Sequence, residues 1–215
     1  AVHELDKRLA ASGVTTAFAA ISFHWHAHIR IRSEEWAREI VTTVHRLRQS
    51  LLTDMYIHAR FEVTNPDAGP VLQELIAKDM VHLISLMDHT PGQGQYRDIE
   101  RYVHTMLEWR KLRSGNEVSE EELRAQVQEL QSRPKSWEVV NQVAEIAKQR
   151  SIPLASHDDD SVEKVEFVSS LGTTISEFPV SLETAQAAKA RGMHVIMGAP
   201  NALLGKSNTN NLSAL

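Results

Sequence analysis

Apolar positions along the chain follow two rhythms. Runs of five to eight residues, apolar or alternating, recur at 14–21 ("VTTAFAAI"), 56–63 ("YIHARFEV"), 81–87 ("VHLISLM"), 153–157 ("PLASH"), 173–178 ("TTISEF") and 193–198 ("MHVIMG"). Their length and their β-branched content predict strands. Between them the apolar residues return every three or four positions. That spacing predicts helices over 34–50, 67–78, 95–113, 119–132, 136–149, 160–170 and 181–191. Ser33 before Glu34 and Glu35, Asp160, and Ser181 with Glu183 read as helix starts, and Gly172 and Gly192 as stops. Strand–helix alternation of this regularity predicts an α/β fold with a parallel sheet or barrel.

The segment 92–150 breaks the rhythm, because about three helices there join two strands. It reads as a solvated helical insertion within a single 1–215 domain; a lid over the site is the sharper alternative.

Within 56–63 the alternation is two-sided. Ile57, Ala59, Phe61 and Val63 form an apolar face suited to packing on helices, whereas Tyr56, His58, Arg60 and Glu62 form a polar one. In an α/β barrel the polar set faces the axis, and the active site lies at the C-terminal strand ends. Those ends are rich in ligand-type residues: Glu62, Asp88 and His89, the run "SHDDD" from Ser156 to Asp160, Glu177, and Asn201. Two readings of Glu62 stand open, a buried polar network with Arg60 or His58, or service to a metal or substrate. His157 leaves an apolar strand and reads as a metal ligand; Asp160 reads as a helix N-cap. The turn "MDHTPGQGQ", with Gly92, Gln93 and Gly94, marks a turn whose backbone is able to approach phosphate oxygens.

Composition narrows the chemistry. The 215 residues carry a net charge of −5 and are 42% hydrophobic, as in an ordinary soluble protein. Neither nucleic acid nor an anionic membrane is an expected partner, no run is long enough to span a bilayer, and no secretory signal opens the chain. With no cysteine, any metal must be held by His, Asp or Glu, and a cytoplasmic location is expected. The opening "AVHELDKRLAASG" reads as the second half of a helix, and "NTNNLSAL" stops where a helix would start. The chain is therefore expected to be an internal piece of a longer protein.

Four motifs, "GVTT", "VHLISLMDHTPGQGQYRDIERY", "PLASHDDDSVEKV" and "GTTISEFPVSLETAQAAKARGMHVIMGAPN", together resemble the M-protein family of the carbon–phosphorus lyase system, within the amidohydrolase superfamily. The resemblance covers nearly the whole chain. It implies a (β/α)8 TIM-type barrel, here incomplete and comprising strands two to seven. It also implies a divalent metal, zinc foremost with manganese or magnesium as alternatives. The implied activity is hydrolysis of α-D-ribose 1-methylphosphonate 5-triphosphate to the 5-phosphate and pyrophosphate, by attack of metal-bound hydroxide.

Carried over by residue, the resemblance makes Glu62, His89 and His157 metal ligands or near neighbours of the metal, and Asp158 and Glu177 catalytic groups handling protons. Arg60, Gly92, Gln93, Asn201 and Lys206 become substrate contacts. The implied partner is a small phosphorylated ribose, with homo-oligomerisation left open. By strand count the superfamily's first-strand His-x-His and eighth-strand Asp fall outside the chain. The alternating His24, His26 and His28 follow the second barrel strand and read as a polar loop, with substrate or metal contact as the alternatives. The rival functions are another amidohydrolase-type reaction, deacetylation or deamination of a small metabolite, and a non-catalytic barrel remnant.

Overall fold

A computed structural model describes residues 1–24, 33–114 and 119–204. The fold is α/β, and all six predicted strands form. They are β1 (Thr16–Phe23), β2 (Asp54–Glu62), β3 (Leu83–Met87), β4 (Leu154–His157), β5 (Ile175–Glu177) and β6 (His194–Ile196). The sheet runs in chain order, β1 to β6, with β1–β2, β2–β3 and β5–β6 parallel. The helices are α1 (Val2–Ala11), α2 (Glu34–Leu47), α3 (Ala68–Ala77), α4 (Ile99–Ser114), α5 (Glu120–Ser132), α6 (Trp137–Gln149), α7 (Val162–Ser170), α8 (Leu182–Ala190) and α9 (Ala199–Leu204). Among the described residues no helix is long and apolar enough to cross a membrane.

The chain groups into two compact units. The first comprises Ala1–Met87, Ser136–Ala155 and Leu171–Thr174, and the second Asp88–Lys135, Ser156–Ser170 and Ile175–Leu215. The three helices of the 92–150 segment therefore separate: α4 and α5 belong to the second unit and α6 to the first.

In the first unit the alternation of β2 does what its pattern predicts. Ile57, Ala59, Phe61 and Val63 are buried in one core with Val41 and Val44 of α2, Leu72, Leu75 and Ile76 of α3, Ile84 of β3, and Val140 and Val143 of α6. The polar face lies in register with its neighbours, Ser22 opposite Arg60 and Leu83 opposite His58. His58 is buried and its Nε2 meets Ser85 Oγ at 2.5 Å, which satisfies a polar group that would otherwise be costly inside a sheet. Asp6 on α1 is buried too. Its carboxylate accepts from the Leu52 amide at 2.8 Å, the Thr53 amide at 2.9 Å and the Thr53 hydroxyl at 2.8 Å, which ties α1 to the entry of β2. Helices α3 and α6 approach so closely at Gly69 that a Cβ there would overlap Cγ1 of Val139.

The second unit holds two small cores. Val165, Val168, Ala188 and Met193 join α7, α8 and the approach to β6, while Val103, Leu123 and Val127 join α4 to α5. Helix α5 opens on a capping box between Ser119 and Glu122. Arg124 then forks onto both carboxylate oxygens of Glu100, at 2.9 and 2.6 Å. At the start of α7 the hydroxyl of Ser161 accepts the Lys164 amide at 3.1 Å. The cap is thus Ser161 rather than the expected Asp160, whose carboxylate is committed elsewhere.

Candidate metal centre

The second unit gathers its ligand-type side chains from two segments. One is the exit from β4, which delivers His157 and then three aspartates to three different tasks. Asp158 turns with φ +53, in the left-handed region that non-glycine residues enter at a cost of about 1 kcal/mol or more. Its Oδ2 lies 2.9 Å from His157 Nδ1 and is buried without a hydrogen bond. Asp159, with no exposed surface, accepts from the hydroxyls of Ser156 at 2.5 Å and Ser176 at 2.8 Å. It fixes the exit of β4 to β5. Asp160 Oδ2 accepts the Gly94 amide at 2.6 Å. Across β5, Phe178 also takes a positive φ of +56 and lays its ring 5.3 Å from that of His157.

The other segment is the glycine turn after β3, which carries His89. It is pinned at both ends. Asp88 pairs with Lys135 at 2.7 Å and accepts from the Thr90 hydroxyl at 2.7 Å. Burial works to raise the Asp88 carboxyl, but the hydrogen bonds from Lys135 and Thr90 outweigh it and hold the group below the ordinary carboxylate range. Lys135 also donates to Gln93 Oε1 at 2.8 Å. At the far end Gly94 takes φ +56, and a Cβ there would come within 3.2 Å of the Asp158 carbonyl oxygen. The amides of Gly92 and Gly94 donate within the protein, to the Tyr96 carbonyl at 2.9 Å and to Asp160. Their hydrogen bonds close the turn instead of lying open to phosphate.

These two segments bring His89, His157 and Asp158 together, with one ligand atom from each lying within 4.8 Å of the others. Two imidazoles and a carboxylate are donors suited to zinc and to other first-row divalent ions. The Asp158 oxygen, buried with the His157 imidazole beside it and no hydrogen bond of its own, is an acceptor that a cation suits. The donor set fits a divalent metal.

In the first unit Glu62 ends β2, buried, with His24 Nε2 3.6 Å from its Oε2. Arg60 is half-buried on the same face of β2. Glu177 is buried at the end of β5, and its carbonyl accepts the Asp158 amide at 2.9 Å. Asn201 falls in α9, directly beyond β6. Lys206, His26 and His28 lie outside the described residues. Sequence reasoning placed the strand-end residues but did not single out Lys135, the division of labour among the three aspartates, or His24 as the neighbour of Glu62. No local pattern marks Lys135; it lies in the short link between α5 and α6 with nothing nearby in sequence to suggest a partner.

Over all of its length the chain is 30% identical to a curated homologue, the alpha-D-ribose 1-methylphosphonate 5-triphosphate diphosphatase of Escherichia coli strain K12. It spans 56% of that protein. The resemblance read from the motifs is thus found in a whole-chain comparison. No family model matches the chain. Among solved structures, the radical S-adenosylmethionine methyltransferase TsrM from Kitasatospora setae overlaps 82% of this chain and 27% of its own at 12% identity, with a TM-score of 0.40. A second structure of TsrM, with tryptophan and a cofactor analogue, gives 0.41 at 12% identity over 83% and 29%. Overlaps at that level carry no argument.

Proposed function

We propose that this chain supplies the metal-binding face of a hydrolase of phosphonate catabolism, one that converts α-D-ribose 1-methylphosphonate 5-triphosphate to the 5-phosphate and pyrophosphate. The observation that carries the reading is the cluster of His89, His157 and Asp158 at strand ends, in a chain whose curated homologue is a diphosphatase of that substrate. Parallel strands that follow chain order support a (β/α)8 barrel of the amidohydrolase type, since a doubly wound sheet reverses its order at a switch point.

His89, His157 and Asp158 would hold the ion, with zinc, manganese or magnesium as the ion; the resemblance adds Glu62, at the end of β2 in the first unit, as a carboxylate ligand in its own right. Bound there, the metal supplies a nucleophile from water at neutral pH and neutralises phosphoryl charge. The protein's own groups do the rest. Glu177, with Asp158, accepts the proton that water gives up as its oxygen attacks the α-phosphorus, and the α–β bridging bond breaks with pyrophosphate leaving. Gln93, in the turn that carries His89, meets the phosphoryl oxygens; Arg60 on β2 offers the planar fork that suits such groups, and the resemblance adds Asn201 and Lys206 as substrate contacts. Gly92 contributes by shaping the turn.

The test uses the full-length protein, stripped with a chelator and reloaded separately with Zn2+, Mn2+ or Mg2+. Phosphorus NMR should show pyrophosphate and the 5-phosphate formed from the triphosphate only after reloading. Turnover of acylated or aminated sugars in its place, with the triphosphate untouched, would overturn the reading.

A further inference from the structure

We infer that Asp160 is a positioning residue for this metal site, clamping the turn that carries His89 onto the strand exit that carries His157 and Asp158. The inference rests on the metal reading above and adds to it a part that the ligand set alone does not contain. Asp160 Oδ2 accepts the Gly94 amide at 2.6 Å, across 66 residues of sequence. The aspartate is not needed as a helix cap, because Ser161 fills that place.

Gly94 forms the other half of the clamp. It is buried, its φ of +56 suits glycine, and a Cβ would meet the Asp158 carbonyl oxygen at 3.2 Å and Asp158 Cβ at 3.3 Å. The turn therefore lies against Asp158 as closely as a side chain of hydrogen allows. Since Lys135 grips Asp88 at the other end, His89 sits in a loop held on both sides. Loss of the Gly94–Asp160 bond frees one side and loosens the spacing of the three ligands. Groups that hydrogen-bond a metal's ligands directly set affinity by about 10–100-fold, and a clamp that places a ligand's loop is expected at the lower end of that range.

The experiment measures Zn2+ affinity, the visible spectrum with Co2+ substituted, and hydrogen exchange of the Gly94 amide, in the full-length protein. Asp160→Ala should weaken metal binding by roughly tenfold or more, broaden the Co2+ spectrum, and speed exchange at Gly94 even without metal. Asp160→Asn keeps an oxygen acceptor and should bind metal within about threefold of wild type; it also serves if the alanine variant fails to fold. Wild-type affinity and spectrum in Asp160→Ala, or an asparagine variant as weak as alanine, would overturn the inference. A wild-type protein that binds neither ion overturns the metal reading itself, and the positioning role with it; the exchange rate at Gly94 still reports the clamp.

Discussion

The imidazole of His24 stands 3.6 Å from the carboxylate of Glu62, and both side chains are largely shielded from solvent. A carboxylate withdrawn from water is tolerated when paired or bound to metal. Glu62→Gln keeps the shape and removes the charge, so in the full-length protein kcat/KM on the triphosphate should fall by on the order of 100-fold with little change in Tm. Kinetics run beside thermal melts check this. A lowered Tm with unchanged specific activity would assign Glu62 to the architecture of β2 instead.

His157→Ala should lower the bound metal per chain, since it removes one of two imidazoles from a three-residue donor set. Elemental analysis of protein purified without chelator reads this directly, and unchanged stoichiometry would take His157 out of the ligand set.

The Asp6 carboxyl is held below its ordinary range, first by the hydrogen bond from the Leu52 amide and further by those from Thr53, against the opposing effect of burial. A carboxyl depressed on folding contributes stability in full above its unfolded value, near pH 4, and loses it as the pH falls through the folded value. Asp6→Ala should therefore lower Tm at neutral pH, and the gap from wild type should narrow below about pH 4. A gap independent of pH between 7 and 3 would show that the carboxylate charge contributes nothing at that joint.

Gly69→Ala should destabilise the first unit by about 1–3 kcal/mol, the usual range for overpacking a tight contact. The added methyl would overlap Cγ1 of Val139, a β-branched side chain with little rotamer freedom on α6. Urea unfolding measures the loss. A neutral or stabilising outcome, as glycine-to-alanine gives in an open helix, would mean that α6 shifts to make room.

What could be read in the sequence followed from periodicity. The alternation of Ile57, Ala59, Phe61 and Val63 against Tyr56, His58, Arg60 and Glu62 shows which face of β2 packs into the apolar core, because the pleat sends alternate side chains to opposite faces. The run "HDDD" shows the opposite case. Three identical carboxylates were separated into a neighbour of the His157 imidazole, a tie between strands and a partner of the Gly94 amide by the left-handed turn at Asp158 and by partners up to 66 residues away. No local rule assigns such roles. The same holds for His24, whose nearness to Glu62 arises from the parallel pairing of β1 and β2 rather than from the histidine spacing.

The first unit is discontinuous along the chain, and this matters during synthesis on the ribosome. Residues up to Met87 emerge first, ending in a β3 strand that is buried at every position in the finished fold. Its neighbour β4 and the covering helix α6 leave the exit tunnel only after α4 and α5 have been made. During that interval an apolar strand edge waits without its partner, the state most exposed to association with other nascent chains. The intervening pair α4–α5 has a core of its own in Val103, Leu123 and Val127, built from contacts close in sequence. It can fold promptly on emergence, so that the delay before β4 arrives is spent beside a compact hairpin and not an open coil.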